Sequence, residues 1–82
     1  MLQALKLTED TLEEIIENLD PDPRNLTWIH AVYEQSRQTG EVFYVVLNAP
    51  QEFMDVKFES SMVVRENSVI SQPDEYEIVD HF

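Results

Sequence analysis

Val42-Phe43-Tyr44-Val45-Val46-Leu47 is the stretch on which the fold turns. Six consecutive residues are β-branched, aromatic or aliphatic, so no alternation leaves one face polar. Such a run predicts a central strand covered on both sides. Upstream of it the apolar residues recur at helical spacing. Downstream the period becomes two, with Met54, Val56 and Phe58 alternating against Asp55, Lys57 and Glu59 in a half-buried strand.

Working back from the central strand, Gly40 fits the left-handed stop of a helix that starts near Asp22 or Asn25 and runs to about Gln38. Leu26, Ile29, Val32 and Tyr33 share one face of it, while Trp28 and Ala31 fall on a flank, against the sheet or an adjacent chain. An earlier helix is marked by Leu12, Ile15, Ile16 and Leu19. Thr8 is placed to cap it, Leu7 and Leu12 to staple its entry, and Pro21 and Pro23 to close it after Asp20.

Forward from the central strand, Asn48-Ala49-Pro50-Gln51 reads as a turn. Residues 61–64 extend the alternating strand past a bulge or begin a separate short one. Arg65-Glu66-Asn67 reads as a turn, residues 68–71 as a short strand, Gln72-Pro73-Asp74 as another turn, and Tyr76, Ile78 and Val79 as a last strand. The expected architecture is α+β: two N-terminal helices packed on one face of a three- to four-stranded antiparallel sheet. With 82 residues the expectation is a single domain, 1–82, and no internal repeat is visible.

Five basic residues stand against seventeen acidic ones, a formal charge of -12. The excess is not spread evenly. Residues 1–22 carry Glu9, Asp10, Glu13, Glu14, Glu17, Asp20 and Asp22 against Lys6 alone. Residues 74–82 carry Asp74, Glu75, Glu77 and Asp80 and no base, while the middle of the chain is close to balanced. Along the first helix Glu9, Glu13 and Glu17 lie four apart, with Asp10 and Glu14 beside them. Like charges at that spacing cost about 0.2–0.5 kcal/mol per pair, so the helix carries roughly 1 kcal/mol of repulsion with no cation at the next turn to offset it.

Two readings of this charge compete. One is a solvated face that keeps a small domain soluble and monomeric. The other is a row of carboxylates standing in for phosphates, since four helical residues advance roughly 6 Å and phosphates about 3.4 Å along a duplex axis. The charge disfavours direct binding to nucleic acid or anionic membranes, which would repel it. A 43% apolar composition with four Phe, three Tyr and one Trp argues against a disordered acidic tail.

Little in the chain points to catalysis, and no enzyme activity or cofactor is expected. Cysteine is absent, which removes disulfides, thiolate nucleophiles and cysteine zinc sites. With one glycine there is no phosphate-binding loop, and Asp20-Pro21-Asp22 lacks the glycine and distal glutamate of a calcium loop. His30 and His81 have no second His or Cys spaced for a metal site. No carboxylate is marked for acid–base work by an apolar cleft, and Ser60, Ser61, Ser68 and Ser71 have no histidine partner in view. The N-terminal residues do not read as a signal peptide and no run approaches a membrane span, so a cytoplasmic location is expected, the host cytoplasm if the protein is phage-encoded.

Size, absent cysteine, charge, and helices followed by a sheet together resemble the small phage-encoded DNA mimics, the uracil-DNA glycosylase inhibitors in particular. In that family a Glu-Ser followed by apolar residues lies on an edge strand and inserts at the enzyme's DNA-binding surface. Glu59-Ser60-Ser61-Met62-Val63-Val64 is similar over six residues, although here it follows both helices where the family's motif precedes an acidic helix. The resemblance implies an inhibitor whose partner is a basic DNA-binding protein or enzyme, with a homodimer also open. The residues expected to meet that partner are the first-helix acids Glu9, Asp10, Glu13, Glu14, Glu17, Asp20 and Asp22. Asp74, Glu75, Glu77 and Asp80 form a second row, with Asp55 and Glu59 from the half-buried strand. The alternative is an immunity protein, antitoxin or assembly adaptor that binds through an apolar patch or a sheet edge, anchored by Trp28, Phe53 and Phe82.

Overall fold

A computed structural model describes residues 1–48 and 57–81. The elements run β1 (Leu2–Lys6), α1 (Glu9–Asn18), α2 (Pro23–Thr39), β2 (Phe43–Asn48), a 3₁₀ turn (Ser60–Met62), β3 (Val63–Arg65), α3 (Glu66–Ile70) and β4 (Tyr76–Val79). The four strands form one sheet in the order β3-β2-β1-β4.

β2 is an inner strand with both faces covered, as its unbroken apolar run predicts. Phe43, Val45 and Leu47 pack with Leu7, Leu12, Ile15, Leu19, Ile29, Val32 and Phe58 in the main core under α1 and α2. Tyr44 and Val46 pack with Ala4 and Val69 on the opposite face. Both helices therefore cover one face of the sheet, as expected, and α3 adds a smaller cover on the other.

The expected order and strand directions need correction. A strand, not a helix, comes first: β1 pairs antiparallel with β2, Leu5 opposite Val45, and parallel with β4, Leu5 opposite Val79. The sheet is therefore mixed rather than antiparallel. The reason is the route of the chain. β3 pairs antiparallel with β2 at one edge, and α3 then carries the chain to the other edge, where β4 is laid parallel to β1. A meander cannot do this, because parallel strands need a crossover.

Residues 66–70 are the second correction. Expected as a turn leading into a strand, they form one short helix that buries Val69 against the sheet and leaves Ile70 exposed. Most of the alternating segment 53–59, including Asp55, lies outside the described residues. Of its described end, Lys57 and Glu59 are exposed and Phe58 is 1% exposed, in coil rather than strand.

The ends of α1 and α2 follow local chemistry. The Thr8 hydroxyl accepts from the Thr11 amide at 3.3 Å, and the Thr11 hydroxyl donates to the Lys6 carbonyl at 2.5 Å. Thr11 is thus a buried but satisfied polar residue that ties the start of α1 to the end of β1. Beyond the C-cap Leu19, Asp20 takes a left-handed backbone (φ 40°), a conformation that aspartate tolerates better than most residues. Asp22 then caps α2, its Oδ1 accepting from the amides of Arg24 at 2.9 Å and Asn25 at 3.0 Å, with Pro23 at the first helical position. Gly40 ends α2 at φ 76°.

This gives Asp22 a structural task. Asp22→Ala is expected to lower stability by about 1 kcal/mol, and Asp22→Asn to be close to neutral, because either oxygen can accept the cap bonds. Urea denaturation of the two variants measures both; equal losses would assign the effect to charge rather than capping.

Candidate protein-binding surface

α1 buries Thr11, Leu12 and Ile15 and turns the opposite side outward. Glu9, Asp10, Glu13 and Glu17 are exposed and Glu14 is half-buried. At about 100° per residue these five carboxylates occupy roughly 140° of the helix circumference. The last turn of α1 contains no basic residue, so Glu17 stands near the negative end of the helix dipole. Local helix energetics oppose that placement as well as the four-residue repeats.

The parallel β1–β4 pairing supplies what no stretch of sequence shows by itself. β1 leads into α1, and the C-terminal end of β4 lies beside the C-terminal end of β1. A cleft of about 450 Å³ results, with Asp10, Thr11 and Glu14 of α1 on one wall and Val79, Asp80 and His81 on the other. The acidic helix and one end of the second acidic segment, far apart in sequence, thus border one depression. Strand alternation puts Glu77 on the same sheet face as Val79, the face that carries α1.

The remaining expected residues are distributed differently. Asp74 and Glu75 sit at the far end of β4 beside Met1, Leu2 and Asn48, about five to six residues or ~17–20 Å from Asp80. Glu75 also anchors the sheet through its carbonyl, which accepts from the Leu2 amide at 2.8 Å. Asp20 and Asp22 occupy the α1–α2 junction, where both also shape the chain. Glu59 precedes the 3₁₀ turn that leads into β3, at the sheet edge opposite β4. The Glu59-Ser60 pair is therefore just ahead of an edge strand rather than on it. Asp55 lies outside the described residues.

Two exposed arginines pair with carboxylates outside the acidic row, while Lys6 lines the cleft with Asp10, Glu14 and Asp80. Arg37 lies 3.9 Å from Glu34 and over the Tyr33 ring, and Arg65 pairs with Glu41 and lies over Phe43. Among the described residues no group of three or more His, Asp or Glu side chains is arranged to hold a metal ion, so Asp80 and His81 line the cleft without forming such a site. Among the described residues no helix is long and apolar enough to cross a membrane.

Sequence reasoning missed two features. Ile16, assigned to the apolar face of α1, is 45% exposed at the edge of a groove between α1 and α2. β4 is an edge strand with Ile78 60% exposed, and only the pairing pattern reveals it. Trp28, by contrast, is 37% exposed on α2, in keeping with its flank position.

No relative decides the matter. No family model matches the chain, and no curated protein or solved structure is detectably similar to it. The functional reading rests on the arrangement of these side chains.

Proposed function

We propose that the chain is a non-catalytic acidic inhibitor that binds a DNA-binding protein or DNA-processing enzyme by presenting carboxylates in place of DNA phosphates. The observation that supports this most is the meeting of Asp10 and Glu14 with Asp80 across one cleft. A face used only for solubility needs no assembly from two distant segments. α1 is ten residues long, about 15 Å, which corresponds to roughly four phosphate steps along a duplex axis. Its Glu9, Asp10, Glu13, Glu14 and Glu17 form the principal row, Glu77 and Asp80 the adjoining one. Asp74, Glu75 and Glu59 extend the negative field toward the sheet edges and steer approach rather than make the central contacts.

A second reading is favoured by the outer edge of β4, which no described strand pairs with. A protein-interaction module such as an antitoxin or adaptor would add a strand there, with Ile78 as its apolar anchor. Salt separates the two. Raising salt shortens the Debye length from about 10 Å at 0.1 M toward 3 Å at 1 M, so phosphate mimicry requires affinity to fall steeply over that range. Retention of a captured partner on the immobilised protein, followed by salt-graded elution, gives the answer. Release at moderate salt is expected; retention unchanged to about 0.5 M would overturn the proposal in favour of the sheet edge.

A further inference from the structure

The groove between α1 and α2 has a composition that a purely charged face does not need. Its volume is about 350 Å³, and Leu12, Ile16 and Tyr33 form an apolar floor between Glu9 and Glu13 on one rim and Glu34 on the other. Leu12 is buried and Tyr33 half-buried, but Ile16 leaves 45% of its surface in water although its spacing belongs to the apolar stripe of α1. Leu12 and Ile16 lie one turn apart, so the apolar floor runs along the helix.

We propose that this groove docks a cationic amphipathic helix of the basic partner, an apolar side chain seated on Ile16 and arginines reaching the two rims. The inference rests on the reading of the chain as an acidic binder of a basic protein, and adds the form of the element it receives. Three observations select this occupant. The rims are mostly acidic in a chain of charge -12, which repels a second copy and attracts a basic segment. A stripe with a one-turn repeat between two helices suits the i, i+4 side chains of a third helix better than the two-residue repeat of a strand. The groove also already holds a guanidinium: Arg37 lies 5.9 Å from the Tyr33 ring centroid and 3.9 Å from Glu34. A partner arginine at the Glu9–Glu13 rim would find two carboxylates beside the same apolar floor. His30 shares the lining.

The test titrates the ¹⁵N-labelled full chain with two synthetic peptides of about 18 residues, long enough for partial helicity. One is amphipathic, with leucines at i, i+4 and i+7 flanked by arginines; the other is a scramble of identical composition. The amphipathic peptide is expected to bind roughly tenfold more tightly, the scale of burying one apolar side chain, with amide shifts centred on Leu12, Ile16 and Tyr33. Ile16→Gln should remove that preference while leaving the scramble's affinity unchanged. Ile16 is outside the buried core, so the variant should fold; Ile16→Ser provides a second variant with the same expectation. Equal binding of the two peptides, with shifts spread over the carboxylates, would overturn the groove and leave the acidic-face reading standing. A preference that survives both variants would likewise overturn it. Binding of neither peptide at about 0.05 M salt, where screening is weak, would overturn both readings.

Discussion

Replacing Glu13 and Glu17 together with lysine is expected to weaken the complex with the basic partner on the order of a hundredfold at about 0.1 M salt. Each reversal exchanges an attraction for a repulsion. Exposed charge contacts are worth up to about 1 kcal/mol, and tenfold in affinity corresponds to about 1.4 kcal/mol. The diagnostic part is the opposite sign expected for stability. The double variant removes the Glu9–Glu13 repulsion and places a cation in the last turn of α1, where the dipole favours one. Its fold should be unchanged or more stable by a few tenths of a kcal/mol. Calorimetry of binding and thermal unfolding of the same sample measure both quantities. Loss of binding together with loss of stability would mean that these residues hold α1 in place rather than contact a partner.

Phe58→Ala is expected to have the largest effect on the fold, a loss of about 3–5 kcal/mol. A domain of this size has on the order of 5–15 kcal/mol in total, so the variant would be close to unfolding at moderate temperature. Phe58 is 1% exposed within the main core, and its backbone is held from two sides. Its amide donates to the Leu19 carbonyl at 2.8 Å, and its carbonyl accepts from Asn25 Nδ2 at 3.1 Å. Those bonds join the end of α1 to the start of α2, so the surrounding chain cannot easily close over the lost ring. The urea midpoint should fall by roughly 2 M with little change in slope. A loss below about 1 kcal/mol would show that the ring contributes little to the core.

How much of this was legible in the sequence differs from element to element, for physical reasons. β2 and the helix caps were readable because their signals are local: an apolar run covering both faces, a threonine before acids, an aspartate before proline, a glycine after the last turn. β1 was not, because Leu2-Gln3-Ala4-Leu5-Lys6 contains no β-branched residue. It is a strand because β2 and β4 take its hydrogen bonds from both sides, a tertiary effect that outweighs propensity. The Val69-Ile70 pair misled in the opposite sense, since two β-branched residues suggest a strand while a single helical turn suffices to bury Val69.

The candidate site shows the same division. That Glu9, Asp10, Glu13 and Glu17 would be displayed on a helix follows from their spacing, because the apolar stripe fixes which side faces water. That Asp80 would join them could not be read, because it depends on the parallel pairing of β4 with the one strand the sequence concealed. The exposure of Ile16 was hidden for a related reason. Periodicity places it on the apolar side of α1, but whether α2 covers it depends on how the two helices pack.

Competition with duplex DNA tests the central claim most directly. The partner captured by the protein is offered a labelled duplex at increasing concentrations of the protein, with the Glu13→Lys/Glu17→Lys variant as comparator. Mutually exclusive binding is expected: the wild-type chain displaces the duplex completely, and the variant requires on the order of a hundredfold more. A stable ternary complex of partner, duplex and protein would contradict it.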